Sequence, residues 1–483
     1  MSPSQSGRAS SPRLTSPIDA PGLGAEPFTR RERTPPQVLH FEEKRVKSDA
    51  GGGASRILFY NGWGEQNDDG AMTAAPTCLP GGWGDYVADA LDDLEARHLM
   101  RRTQIRDDEG SCGTSFGGND YLGLARNLRV RRAAAAAALD HGGGPRGSLL
   151  VCGYSRWHAR LEATIARMRD DGGAGREALL FPSGYAANVG TIAALASDAD
   201  AAIFSDALNH ASIVDGARLA RRAGAAVHVY PHLDIARLDE LLSESRAARK
   251  LVVTESLFGM DGDVADLAAL VALRERHGFL LIVDEAHATL LLGCRGGGLA
   301  QALGPAVSAC VDVSVGTLSK AVGAHGGFVV CGPTVRALLA NRSRPLIYST
   351  ALPLPVVAAA QAALEVSRSG EGDALRAKLS RNVARLVAGL SALGVRMPPA
   401  RCEASPVVPV RMPSETAALA ASAALARDRG MYVPAIRPPT VPRGTSRLRV
   451  SVSAYHAPED IDALIAGLGA FLLTLGGQTN ARL

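Results

Sequence analysis

The sequence predicts an α/β fold: a mainly parallel sheet of seven strands covered by helices on both faces, with a smaller α+β segment towards the C-terminus. Two observations carry this. Short apolar runs recur at residues 178–181, 201–204, 226–230, 251–253, 279–283, 311–315 and 328–330. Runs without polar alternation suit strands buried on both faces. Most are separated by stretches of helical length, the pattern of strand–helix–strand crossovers. In such a sheet ligands bind beyond the strand ends, so polar residues where the runs stop become the candidates for function.

Composition narrows the class of function. With 483 residues the chain is long enough for a large core and two or three domains. A net charge of +4, with 52 basic against 48 acidic residues and no basic run interleaved with aromatics, gives no electrostatic footprint for nucleic acid. Cys78, Cys112, Cys152, Cys294, Cys310, Cys331 and Cys402 are odd in number and contain no Cys-x-x-Cys pair, which argues against a disulfide framework or a zinc site. They read as reduced, mostly buried thiols of a cytoplasmic protein. The alanine-rich stretch from Ala133 to Leu139 lies beside arginines and cannot span a bilayer, so a soluble chain without membrane association is expected.

Residues 1–82 are rich in Ser, Pro, Gly, Arg and Asp and lack periodicity, so an extension without a fold is expected there, with Met72 as an alternative start. From Trp83 to Arg102 the spacing of Val87, Leu91, Leu94 and Leu99 predicts an amphipathic helix, part of an N-terminal arm and small segment over 83–145. Asn119-Asp120-Tyr121-Leu122-Gly123-Leu124 predicts a turn before a second, alanine-rich helix. The strand-and-helix alternation defines a large domain over 146–365, entered through the flexible crossing from Gly147 to Gly153. A smaller α+β domain over 366–475 follows, with strands at 407–410 and 448–452, helices from Glu415 and Glu459, and a tail over 476–483.

Chemistry gathers at four strand ends. After Phe181, Ser183-Gly184-Tyr185 opens a helix whose free N–H groups suit a phosphate. After Phe204 the chain presents His210, and after Val283 it presents Asp284 and His287. After Val315 come Thr317 and Lys320, the lysine lying in a small-residue loop where lost solvation would lower its pKa and leave a nucleophilic amine. Each residue alone has an ordinary structural explanation as a cap, a core histidine or a surface charge. Together, an amine, a carboxylate, a flat ring and a phosphate cradle are what pyridoxal phosphate requires. A zinc site built from His210, Asp284 and His287 is the alternative, and it lacks metal-ligand spacing.

The stretches NDYLGLA, FPSGYAAN, LNHASIVDGARLA, MDGD, DEAH, TLSK and IYSTALP, spread between Trp83 and Leu472, resemble the α-oxoamine synthases, pyridoxal-phosphate enzymes of fold type I. Within that branch, Ala435 to Pro442 and Gly444 to Arg449 look like the 8-amino-7-oxononanoate synthases of biotin biosynthesis. The resemblance implies a homodimeric acyltransferase that condenses L-alanine with a pimeloyl thioester carried by acyl carrier protein or coenzyme A, with loss of carbon dioxide. It also implies roles. Lys320 would form the Schiff base, Asp284 pair with the pyridine nitrogen, His210 stack on the ring and His287 face the phenolic oxygen. Thr317 and the Gly184–Tyr185 backbone would serve the phosphate, and Ser349 and Thr350 would reach a neighbouring subunit's cofactor. Arg101, Asn119 and Thr440 fall on substrate-contacting positions, and Arg437 and Arg449 are candidates for the amino-acid carboxylate.

Three features depart from the family pattern. Gly259 stands where the family usually has a cofactor-bonding serine, so a polar contact worth about 1–3 kcal/mol is expected to be missing. The segment between Arg101 and Asn119 is several residues short, and the run from Ala288 to Leu292 is bulky enough to reshape an acyl entrance. These departures keep two rival readings in play: a sister synthase using another amino acid or acyl thioester, and a non-catalytic paralogue.

Overall fold

The computed structural model describes residues 42–46, 55–59, 79–80, 82–97, 99–100, 103, 113–169, 175–399 and 401–480. The chain divides into two compact units, Met1–Gln104 and Ile105–Leu483. In the first, β1 (Glu42–Val46) pairs antiparallel with β2 (Ser55–Phe59), and α1 (Trp83–Ala96) follows. The helical register starts at Trp83 as its periodicity predicts but stops at Ala96, short of Arg102. Leu99 N–H reaches back five residues to the Leu94 carbonyl, which takes the backbone off the α-helical track.

The second unit begins with α2 (Leu128–His141), α3 (Arg156–Arg169) and then the alternation itself. β3 (Glu177–Phe181), α4 (Gly184–Leu195), β4 (Ala201–Asp206), α5 (Ala211–Arg222), β5 (Ala226–Tyr230), α6 (Ile235–Glu244), β6 (Arg249–Glu255), α7 (Leu267–His277) and β7 (Leu280–Asp284) succeed one another. Short helices α8 (Leu299–Ala302) and α9 (Pro305–Cys310) lead to β8 (Val313–Thr317) and β9 (Gly327–Cys331). The seven strands β3 to β9 form one sheet in the order β3-β9-β8-β7-β6-β4-β5. All neighbours are parallel except the two pairs that involve β9. Only residues 318–326 join β8 to β9, too few for a crossover helix, so β9 must return antiparallel.

Alternate strand residues feed different cores. Leu179, Ile203, Val253, Ile282, Val315 and Val329 pack against Ile192 of α4 and Ile213 of α5. Phe204, Val252, Leu281 and Val283 pack against Leu238 of α6 and Leu270 of α7. Each such buried aliphatic side chain contributes about 1.5–3 kcal/mol relative to exposure.

Helices α10 (Pro333–Arg342), α11 (Arg344–Ile347), α12 (Leu354–Ser367) and α13 (Gly370–Ala392) lead to β10 (Val407–Arg411), α14 (Glu415–Arg429), β11 (Ala435–Ile436), β12 (Arg447–Ser451) and α15 (Pro458–Asn480). The last strands form an antiparallel sheet in the order β10-β12-β11. A continuous core joins it to the large sheet: Val408, Val410, Leu448 and Val450 share one cluster with Leu180, Phe328 and Val330. Fully buried Arg447 adds a polar tie by bonding Asp261. Among the described residues no helix is long and apolar enough to cross a membrane. The expectation of mostly buried thiols is met among those residues by Cys331 alone, with Cys152 and Cys294 exposed.

Candidate active site

The candidate residues converge because parallel strands deliver them at one edge. Register pairs Glu255 of β6 with Asp284 of β7, and β8 ends at Thr317, three residues before Lys320. In the loop from 318 to 326, Gly326 adopts φ +120°, a backbone conformation open to glycine, and its carbonyl closes the loop on Leu318 N–H.

Lys320 is partly buried, and its Nζ lies 2.9 Å from His287 Nε2. The other ring nitrogen, Nδ1, lies 2.8 Å from the hydroxyl of fully buried Tyr121, which is itself 3.1 Å from Asn119 Oδ1. Arg449 closes this network, donating to Asn119 Oδ1 at 3.2 Å, to Ser451 Oγ at 2.9 Å and to the Gly259 carbonyl. Burial holds the Lys320 amine below its ordinary pKa, with Asp284 and Glu255 pulling the other way. Burial also sets His287 well below the usual imidazole range, reinforced by Lys320 and Arg449. A neutral imidazole therefore faces an amine that is readily neutral, the state in which an amine attacks a carbonyl or takes a proton.

A second network holds Asp284. Its Oδ2 accepts Asn188 Nδ2–H at 2.6 Å and its Oδ1 accepts Ala286 N–H at 2.8 Å. Asn188 Nδ2 also donates to Ser212 Oγ at 2.9 Å, and that hydroxyl lies 2.7 Å from His210 Nδ1. Because His210 Nδ1 accepts Ser212 N–H and so caps α5, the proton of the neutral ring is on Nε2. Glu255, beside Asp284, is buried, and burial together with that second carboxylate pushes its pKa up to about 8.

At the start of α4, Ser183 Oγ caps the helix by accepting Ala186 N–H at 3.0 Å. A β-carbon on Gly184 would stand 3.0 Å from Thr317 Cβ, so the glycine keeps this cradle open. The one proton of Thr317 goes to the Gly326 carbonyl at 3.0 Å, while its oxygen accepts Ser319 N–H. Tyr185 turns outward, donating to Asp215 at 2.5 Å.

Other sequence candidates stand apart from these networks. Arg437 is partly buried, and its Nη1 is buried with no hydrogen-bond partner among the described residues. Thr440 is exposed and donates its N–H to the Arg437 carbonyl. Ser349 is partly buried, and Thr350 is exposed and bridges to Ser148. Arg101 lies outside the described residues, as does most of the short segment that follows it. Ala288, Leu290 and Leu291 are buried in the core clusters.

Sequence reasoning missed Tyr121, Asn188, Ser212 and Glu255. The first three lie within quoted motifs, NDYLGLA, FPSGYAAN and LNHASIVDGARLA, but only the folded side chains show which residue each one holds.

The residues present fit pyridoxal phosphate. The amine, the oriented carboxylate, the imidazole capping α5 and the open helix start lie at neighbouring strand ends, and the unpartnered Arg437 nitrogen adds a donor for a substrate carboxylate.

The family model for aminotransferases of class I and II matches residues 113–468. The 8-amino-7-oxononanoate synthase of Anaeromyxobacter sp. (strain K) is 48% identical over 397 residues, covering 80% of this chain and 96% of its own. The 8-amino-7-oxononanoate synthase of Arabidopsis thaliana is 42% identical over 371 residues, covering 74% of each chain. Among solved structures, a serine palmitoyltransferase from S. paucimobilis with bound PLP superposes with a TM-score of 0.72 at 30% identity, covering 81% of this chain and 98% of its own. The strand-end site, the sheet that builds it and these matches lead to one assignment: the chain belongs to the 8-amino-7-oxononanoate synthases, pyridoxal-phosphate-dependent acyltransferases of fold type I.

Proposed function

We propose that this enzyme condenses L-alanine with a pimeloyl thioester, releasing carbon dioxide and the thiol and forming 8-amino-7-oxononanoate for biotin synthesis. The observation that carries this reading is the Lys320 amine, held 2.9 Å from neutral His287 at the strand edge that also presents Asp284. Pyridoxal phosphate, when bound, supplies the electron sink for the pair left when a bond to the α-carbon breaks.

The chain's residues do the rest. Lys320 would hold the cofactor through its amine, and its Nζ, when free beside the bound amino acid, would take the α-proton. Asp284, oriented by Asn188 and Ala286 N–H, holds a proton on the ring nitrogen. His210 would offer its imidazole to the cofactor's ring, and His287 would serve its phenolic oxygen. The α4 N-terminus at Gly184 and Tyr185, with Thr317 beside it, receives the phosphate; the outward Tyr185 ring leaves that role to its backbone. Arg437 grips a substrate carboxylate with its unpartnered Nη1, whereas Arg449, already committed to Asn119, Ser451 and Gly259, shapes the pocket wall. Asn119 and Thr440 line the substrate side. Ser349 and Thr350 face a second copy of the chain in a cytoplasmic homodimer, a reading supported by the exposed Leu150, Val151 and Tyr348.

The test is turnover of purified, cofactor-loaded enzyme with alanine, glycine or serine against pimeloyl or palmitoyl coenzyme A. Carbon dioxide and free thiol in equal amounts from alanine and pimeloyl coenzyme A are expected. Faster turnover of serine or glycine would assign a sister synthase, and no turnover with any pair, pimeloyl carrier protein included, would overturn catalysis.

A further inference from the structure

Gly259 lies in the turn after β6, at no unusual φ, so its backbone does not explain the glycine. Its surroundings do. A β-carbon there would stand 2.2 Å from His287 Nε2, 2.7 Å from Cε1 and 2.9 Å from Cδ2, all inside any allowed contact.

Neither side can yield cheaply. The Gly259 carbonyl accepts from Arg449 Nε, so the backbone is tied to a buried guanidinium at this point. The imidazole is pinned by Tyr121 at Nδ1 and faces Lys320 at Nε2, with ring distances of 2.8 and 2.9 Å. Restoring an ordinary carbon contact needs a ring shift of about 1 Å, which carries either nitrogen out of hydrogen-bond range.

We propose that Gly259 is a positioning residue: the side chain it lacks leaves the space in which His287 stands to hold Lys320 before the cofactor binds. The glycine therefore does not merely delete a donor, as the sequence alone suggests. His287 Nε2 fills that space and supplies the polar partner instead. The inference rests on Lys320 being the lysine that receives the cofactor, and one arm of its test is independent of that role.

That arm uses cofactor-free protein with 15N-labelled histidine, the His287 ring signals being assigned by their loss in His287→Asn. Lys320→Ala should shift the His287 nitrogens in the native background and leave them unmoved in Gly259→Ala, where the ring has already lost Lys320. No shift in the native background overturns the proposal, and this comparison does not require Gly259→Ala to fold. The second arm titrates pyridoxal phosphate into each variant. Gly259→Ala and Gly259→Ser should each weaken binding by about tenfold or less, through a Lys320 amine no longer held in place, since the His287 bond itself exists only before the cofactor arrives, and neither should matter in the His287→Asn background. Gly332→Ala, at a glycine with open space around its β-carbon, controls for the change in chain entropy. Stronger binding by Gly259→Ser would show that the position lacks only a donor, and an equal loss with and without His287 would show that the imidazole is not what the glycine serves. Should Lys320→Ala retain covalent cofactor, the assignment of Lys320 fails while the first arm still stands or falls by its own result.

Discussion

Truncating Asn188 tests how the ring-facing carboxylate is held. Asn188 Nδ2 donates to Asp284 Oδ2 at 2.6 Å and to Ser212 Oγ at 2.9 Å, and all three residues are buried. Asn188→Ala removes a charge-assisted bond of about 1.5–3 kcal/mol and a neutral one of about 1 kcal/mol, leaving Asp284 with Ala286 N–H alone. Both bonds exist in the cofactor-free protein, so most of the loss falls there: a destabilisation of about 2–4 kcal/mol, read as a lower urea midpoint with unchanged slope. Cofactor affinity loses only what mis-orientation of Asp284 removes, about tenfold or less. Asn188→Asp gives a check on sign. It sets a second carboxylate against Asp284, which raises a pKa in the folded state, so the folded chain binds more protons than the unfolded one and stability falls as pH rises. Its deficit should be larger at pH 8 than at pH 5. Cofactor-free Asn188→Ala within about 0.5 kcal/mol of native stability would refute the claim that Asn188 holds Asp284.

Two further outcomes are expected. His232 bridges Asp206 at 2.8 Å and Asp263 at 3.0 Å; burial lowers its pKa, but the two carboxylates outweigh that and push it up to about 9. A raised folded pKa stabilises fully below the unfolded value near 6.5 and is lost as pH rises through about 9, so native stability should fall by about 1–3 kcal/mol across that window and His232→Gln should flatten the slope. Arg437→Ala should raise the KM of a carboxylate substrate about 10- to 100-fold with a smaller change in kcat, and an unchanged KM would remove Arg437 from the site.

The large sheet was legible because its strands are apolar on both faces: all seven runs are strands, displaced by at most a few residues, as in β6, which extends to Arg249 and Glu255. Strand order was not legible, since local pattern does not say that β9 inserts between β3 and β8; the short 318–326 connection held only the clue that β9 turns back. The C-terminal end of α1 was misjudged because hydrophobic spacing continues to Leu99 after the backbone has left the helix. In the site, Lys320, Asp284, His210 and His287 stand at strand ends and could be read from position alone. Their partners could not. Tyr121 meets His287 across 166 positions and Asn188 meets Asp284 across 96, contacts that only the packed core creates. Nor could the surroundings of Gly259 be read, because the His287 ring that stands where its β-carbon would be comes from 28 positions away in the chain.

Whether Lys320 carries the cofactor can be read directly, because the chain has only five lysines: Lys44, Lys47, Lys250, Lys320 and Lys378. Borohydride reduction of the loaded enzyme, digestion and mass spectrometry would locate the pyridoxyl group. One label is expected, on the peptide containing Lys320, absent after prior addition of L-alanine. A label on any of the other four lysines, or none, would contradict that assignment.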